Sequence, residues 1–226
     1  MDIQTPSITE ARDGLAFAQA LPPKIVYSVK NDAVPIAGSE QTAYRRLRLL
    51  RSLGLASFRN GLFNINREAA MQPLFVVAKF FPSLMSLRQA RRFGKFYNDS
   101  DIRYARNAMR GAIVTLDFDA WDLTGFQTPS DLYLYVDDVA KSAKLLRDRG
   151  FSEGRKGRVV LLPKRGDFTD KVNRTYLDCI ARGGRSIYDA IAIELLYHDR
   201  IPVKGNFPVE YILKVQQEMD QSRFKD

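Results

Sequence analysis

The sequence predicts an α+β chain in three parts: an N-terminal winged helix-turn-helix over residues 1–67, a basic helical connector over 68–110 and a small C-terminal α/β domain over 111–226. Three observations carry this expectation. Residues 38–66 run GSEQTAYRRLRLLRSLGLASFRNGLFNIN, a polar entry and a basic helix followed by two short apolar runs about an Asn-Gly turn. Residues 87–97 (LRQARRFGKFY) interleave cations with aromatics. After Gly111, β-rich runs alternate with helical ones, the pattern of an α/β unit.

The first helix is expected over Ser7 to Leu21, with Ser7 or Thr9 as its cap, Glu10 in the first turn and an apolar stripe of Leu15, Phe17, Ala18 and Leu21. Pro22 and Pro23 close it, because proline suits a first helical turn and not an interior. Lys24 to Lys30 (KIVYSVK) is ambiguous: its β-branched residues suggest a strand, its place between two helices a short second helix, and the helix is taken here. Asn31 to Gly38 is then a turn. Ser39 is a good N-cap and Gly54 a good stop, which bounds a helix over about Glu40 to Leu53. Wound at 3.6 residues per turn, Ala43, Leu47 and Leu50 share one side, while Gln41, Arg45, Arg48 and Ser52 point the other way. Leu55 to Phe58 and Leu62 to Ile65 read as a hairpin about Arg59, Asn60 and Gly61, since Asn-Gly is the strongest short hairpin signal.

In the connector, Leu74 to Phe81, Leu87 to Tyr97 and Asp99 to Arg110 are expected as three helices. Beyond it, Ala112 to Phe118, Asp131 to Val136 and Arg158 to Pro163 read as strands, with a helix over Asp137 to Arg149 capped by Asp137. Gly150 to Gly157 is an exposed basic loop. Helices over Val172 to Arg182, Ser186 to Asp199 and Val209 to Ser222 complete the chain.

With 226 residues, 45% hydrophobic and 27% charged, the composition is that of a folded protein rather than a disordered chain. A formal charge of +9 favours an anionic partner, nucleic acid first and a membrane surface second. Cys179 is the only cysteine, so an intrachain disulfide and a C-x-x-C zinc site are excluded. No cationic start with an apolar core is present, so no secretory signal is expected. The longest apolar run, Pro73 to Met85, is broken by Lys79 and Pro82 and falls short of a membrane span. A cytoplasmic protein without a membrane partner is the expectation.

Chemistry finds little foothold. Asp117 and Asp119 would share one face of a predicted strand, as a two-metal phosphoryl-transfer site requires, with Asp122 close by. Asp131, Glu153 and Lys164 lack the acidic-x-Lys spacing of a restriction-type nuclease core. His198 is the sole histidine, placed where a helix C-terminus favours a cation. There is no G-x-x-x-x-G-K-[ST] and no G-x-G-x-x-G, so neither a cofactor nor a catalytic residue set is assigned.

The runs TPSDLYLYVDD (128–138), GRVVLLPKRGDF (157–168) and TYLDCIARGGRSIYDAIAIE (175–194) resemble the C-terminal half of AbiEi-type antitoxins and related winged-helix regulators of type IV toxin–antitoxin systems. Tyr176, Leu177, Asp178, Gly183, Gly184 and Arg185 fit that pattern. The resemblance implies transcriptional autoregulation by DNA binding, with the C-terminal domain as an accessory DNA-contacting or protein-interaction module, a cognate protein partner and no small-molecule cofactor.

The leading expectation is a sequence-specific double-stranded DNA-binding regulator. Gln41, Thr42, Arg45 and Arg48 would meet base edges, while Arg46, Arg51, Arg59 and Asn60 hold phosphates or the minor groove. Ser39 and Tyr44 complete the recognition helix, and Arg88, Arg91, Arg92 and Lys95 extend the footprint over phosphates. Two alternatives stand beside it. One is a metal-dependent nucleic-acid enzyme, nuclease or nucleotidyltransferase-like, using Asp117 and Asp119. The other is a protein-interaction module in which Phe75, Phe80, Phe81 and Leu84 form a dimer or partner surface. A homodimer is compatible with the DNA-binding reading, because winged helices often bind two-fold related sites.

Overall fold

The computed structural model describes residues 7–166 and 168–223, without the side chains of 222 and 223. The outer limits of the first and last expected domains lie outside the described residues. The chain is mixed α/β, with helices outweighing strands and two small sheets.

Helix α1 (Ile8–Ala20) starts at a capping box, in which Ser7 accepts from the Glu10 backbone and Glu10 reaches back to the Ser7 backbone. The segment read as a short helix is corrected next. Tyr27–Ser28 form strand β1, followed by a single π-helical turn, Val29–Ala33. Tyr27 pairs with Phe63 across the sheet and stacks on its ring, which explains why the β-branched pattern wins over position in the chain. A four-residue helix α2 (Val34–Ala37) occupies part of the expected turn.

Helix α3 (Glu40–Ser52) lies where the sequence places it. Ser39 caps its start by accepting from Thr42 N, and its end is a Schellman motif: Gly54, at φ +77, donates to the Arg51 carbonyl and Leu55 N donates to the Leu50 carbonyl. Strands β2 (Ala56–Arg59) and β3 (Leu62–Ile65) form the hairpin, with positive φ at both Asn60 and Gly61, as a two-residue primed turn demands. With β1 they make a sheet in the order β1-β3-β2.

Helix α4 (Arg67–Ala70) leads into α5 (Leu74–Arg88), which continues through Pro82 rather than stopping before it. The expected basic helix over 87–97 is then overturned. Residues Arg91–Gly94 form strand β4, because Phe93 and its neighbours pair antiparallel with residues 159–161 and 152–153. The turn after β4 is set by Asp101, buried, whose carboxylate accepts the backbone N–H groups of Lys95, Phe96 and Tyr97 ahead of helix α6 (Asp99–Ala108).

A five-stranded sheet follows, in the order β5-β6-β8-β4-β7, where β5 is Ile113–Thr115, β6 Leu132–Val136, β7 Ser152–Glu153 and β8 Val159–Pro163. Only β6 and β8 run parallel, joined through helix α8 (Val139–Asp148) and β7, and both are buried on two faces, which is why they read as unbroken apolar runs. Asp138, not Asp137, caps α8. Leu132, Leu134, Val136, Val159 and Leu161 pack under α6 and α8 on one face. From the other face, Tyr133, Tyr135, Val160 and Leu162 join a core that runs through α5 and α9 (Lys171–Arg182) to α1, α3 and β3. Helix α10 (Ser186–Leu196), a 3₁₀ turn (His198–Arg200) and α11 (Val209–Arg223) close the chain. Among the described residues no helix is long and apolar enough to cross a membrane.

Candidate nucleic-acid interface

Helix α3 is fixed from one side only. Ala43, Leu47 and Leu50 are fully buried, and Gly14 of α1 lets Leu49 approach so closely that an added Cβ would stand 3.2 Å from it. That leaves Gln41, Arg45 and Arg48 exposed on the outer face, as 3.6-residue winding predicts. None of the three makes an ion pair or side-chain hydrogen bond among the described residues, and neither do Arg59 and Asn60 at the hairpin turn.

The other sequence-predicted residues of this region have structural work. Ser39 and Thr42 hold each other, the serine hydroxyl 2.9 Å from the threonine hydroxyl. Tyr44 meets Phe58 edge to face, with centroids 6.4 Å apart, and so seats the hairpin on the helix. The Arg46 guanidinium lies over the Phe17 ring and that of Arg51 over Phe58, at 5.5 and 5.1 Å. Their long stems pack while their charge stays at the surface.

The second predicted group behaves differently. Arg88, Arg91, Arg92 and Lys95 do not share a helix face, and each finds an acceptor inside the fold. Arg88 donates to the Arg51 carbonyl at 2.7 Å, tying α5 to the C-terminal end of α3. Arg91 makes a two-pronged contact with Glu153, at 2.8 and 2.5 Å, which raises the guanidinium pKa and holds the carboxyl below its ordinary range. Arg92 pairs with Asp131 and donates to the Gly157 carbonyl and the Tyr133 hydroxyl. Lys95 donates to the Arg149 carbonyl and lies over the Tyr104 ring. Arg91 and Arg92 thus meet carboxylates of the chain itself, Lys95 is half-buried, and Arg88 stays exposed at the C-terminal end of α5.

The carboxylate alternative changes too. Asp117 and Asp119 sit in the first turn of helix α7 (Asp117–Thr124), not on a strand, so two-residue spacing no longer aligns them. Asp117 is ion-paired with Arg182 and accepts from the Ser130 hydroxyl, while Asp119 pairs with Lys171 at 2.8 Å and accepts from Thr175. Among the described residues no group of three or more His, Cys, Asp or Glu side chains stands where it could hold a metal ion. Asp131, Glu153 and Lys164 are separately paired, with Arg92, Arg91 and Asp137. Cys179 is buried and its thiol pKa is pushed up by desolvation. Of the apolar patch, Phe80 and Leu84 are core residues and Phe81 is half-buried, leaving Phe75 alone exposed.

Beside the α3 C-terminus lies a groove of about 450 Å³ that the sequence did not announce. Arg51, Ser57 and Asn64 border it from the N-terminal part of the chain, Arg88 and Arg182 from beyond. It exists because Asn66 donates to the Ala181 carbonyl at 2.9 Å, and Gly183 leaves room for that side chain: a Cβ there would stand 2.6 Å from Asn66 Oδ1. A contact between residues 115 apart leaves no local signal in the chain.

No protein-family model matches this chain, and no match is found among curated proteins or among solved structures.

Proposed function

We propose that the chain is a sequence-specific double-stranded DNA-binding protein, an autoregulator of the antitoxin type its motifs resemble, with its N-terminal region acting as a winged helix-turn-helix. One observation supports this above the rest. Arg45, Arg48 and Arg59 are exposed and unpaired on elements whose opposite faces are packed into the core, while the arginines of β4 are internally satisfied. Unpaired, rigidly mounted arginines suit phosphates and the O6/N7 edge of guanine, and Gln41 suits adenine. Tyr44 and Arg51 seat the hairpin on α3 through Phe58, Ser39 and Thr42 hold the start of α3, and Arg46 packs α3 on Phe17 of α1. The protein acts as a homodimer on a two-fold related site, and the C-terminal part engages a cognate protein partner.

Selection of bound duplexes from a random pool, followed by fluorescence anisotropy at several salt concentrations, tests the reading. A defined motif is expected, with affinity falling steeply as salt rises. Arg45→Ala is expected to lose about 1–3 kcal/mol and to relax preference at one base position. Absence of salt-dependent DNA binding by the wild-type chain would overturn the reading.

A further inference from the structure

The aromatics of residues 93–97 lie close together in the chain and are treated differently by the fold. Phe93 of β4 is fully buried, whereas Phe96 and Tyr97, in the turn between β4 and α6, are 53% and 51% exposed. Tyr104 of α6 is exposed as well. Exposed apolar rings gathered in one place, rather than scattered singly, mark a contact surface.

The turn that carries them is held. Asp101 accepts the N–H groups of Lys95, Phe96 and Tyr97 at 2.9, 2.8 and 3.0 Å. Tyr97 sits at φ +57, a backbone conformation that bulky side chains rarely adopt. Its ring reaches back over Gly94, where an added Cβ would stand 2.7 Å from the ring and 3.1 Å from Gly157.

Gly157 belongs to a second turn. Its N–H donates to the Gly154 carbonyl at 3.1 Å, and Gly154 N donates to the Arg92 carbonyl at 3.0 Å, which fastens that turn to β4. The two central residues, Arg155 and Lys156, are exposed and make no ion pair or side-chain hydrogen bond among the described residues. Lys95 adds a third cation, its ammonium 5.1 Å from the Phe96 ring centroid and 4.9 Å from that of Tyr104. The carboxylates nearest these turns are engaged within the fold: Asp101 by the three N–H groups, Asp99 by Arg158 and Glu153 by Arg91. Exposed rings beside cations that no carboxylate neutralises complement a strand offering both phosphates and base faces.

We propose that these two turns bind single-stranded nucleic acid, with Phe96 and Tyr97 stacking on unpaired bases and Arg155 and Lys156 meeting the phosphates. A duplex offers only base edges in its grooves, so the rings select strands whose bases are unstacked. None of the residues assigned to duplex DNA on α3 and its hairpin takes part, so either reading can fail without the other.

Fluorescence anisotropy of the full chain tests this with labelled strands of about 12 nucleotides: oligo-dT, oligo-rU and an abasic strand that keeps the phosphates and lacks the bases. At least one base-bearing strand is expected to bind about tenfold tighter than the abasic one. Binding of oligo-dT alone identifies DNA as the ligand, of oligo-rU alone RNA, and of both a site indifferent to the sugar. Phe96→Ala, checked for an unchanged melting temperature, is expected to weaken the base-bearing strand about tenfold and to leave the abasic strand unchanged, while Phe96→Trp keeps the affinity. Arg155→Ala/Lys156→Ala is expected to weaken both strands alike and to lower the slope of log affinity against log salt by about 1.4. An Arg45→Ala/Arg48→Ala variant is expected to keep the preference for bases. No binding of either base-bearing strand, equal binding of the abasic strand, undiminished binding by Phe96→Ala, or loss of the preference in the α3 variant would each overturn the proposal.

Discussion

The chain carries two groups of arginines that look alike in sequence and differ in the folded protein. Those of α3 and the hairpin turn, Arg45, Arg48 and Arg59, stand on the surface with no internal acceptor, whereas Arg91 and Arg92 of β4 are bound to Glu153, Asp131, Tyr133 and the Gly157 carbonyl. Both groups were candidates for DNA contact, Arg45 and Arg48 at base edges and the others at phosphates or the minor groove. What separates them is where complementary groups fall: the sheet brings acidic residues from β7 and the start of β6 beside β4, whereas among the described residues no carboxylate pairs with Arg45, Arg48 or Arg59. A cation that is satisfied internally contributes to stability; one that is not is available to a ligand.

The same contrast exists among buried carboxylates and gives the largest expected effects. Asp178 accepts from the hydroxyls of Ser83, Thr115 and Tyr135, and so joins α5, β5 and β6 to α9. Burial pushes its pKa up, against those donors. Asp178→Ala leaves three hydroxyls unpaired at once and is expected to lower unfolding free energy by about 3–5 kcal/mol in urea denaturation. A loss below about 1 kcal/mol would show that this network does not hold the layers together.

Asp189 is the opposite case. It is buried at the start of α10, its Oδ1 has no partner, and desolvation, reinforced by the nearby Asp117 charge, raises its pKa from 3.8 to about 7. Because the folded form holds the proton more tightly than the unfolded one, the contribution to stability falls as pH rises from about 4 to about 7 and stays low above that. Asp189→Asn is expected to be more stable than wild type at pH 8, by about 2–4 kcal/mol, and close to it at pH 4. Thermal or urea unfolding across pH checks both the sign and the window; a variant less stable at pH 8 would mean the carboxylate has a charged-state partner.

Arg92→Ala sharpens the arginine comparison itself. It orphans Asp131 and the Tyr133 hydroxyl, for an expected loss of about 2–3 kcal/mol of stability, with DNA affinity unchanged at temperatures where the variant is folded. A large loss of DNA affinity in that variant would return β4 to the interface.

Local chemistry made much of this fold legible. The Ser7–Glu10 box, the Ser39 cap, the Gly54 stop and the Asn60-Gly61 turn each act within a few residues, and each element they bound lies where the chain suggested. The outward placement of Gln41, Arg45 and Arg48 followed from helical winding alone. Strand β4 was not legible, because LRQARRFGKFY has cations at helix-like spacing and only the distant partners Val159 to Leu161 select the extended form. Strand β1 failed likewise, its partner Phe63 lying beyond α3. Asp117 was misread by one turn: the strand ends at Thr115, and Leu116, at φ +54, turns the chain into α7. Polar networks such as that of Asp178 join residues as far as 95 apart, which no window on the sequence contains.

The smallest effect separates backbone contact from base reading within the exposed group. Arg59 lies at the hairpin turn, so a phosphate or minor-groove role there would carry no dependence on the bases that α3 is proposed to read. Arg59→Ala is expected to leave stability within about 0.5 kcal/mol of wild type, since the side chain has no internal partner to orphan. It is also expected to weaken all duplexes by the same factor and to reduce the slope of log affinity against log salt by about 1. Anisotropy titrations of the selected duplex and of a scrambled one, at four salt concentrations, measure both quantities. If Arg59→Ala weakened the selected duplex alone, the hairpin would be reading sequence and the division of labour between helix and turn would have to be redrawn.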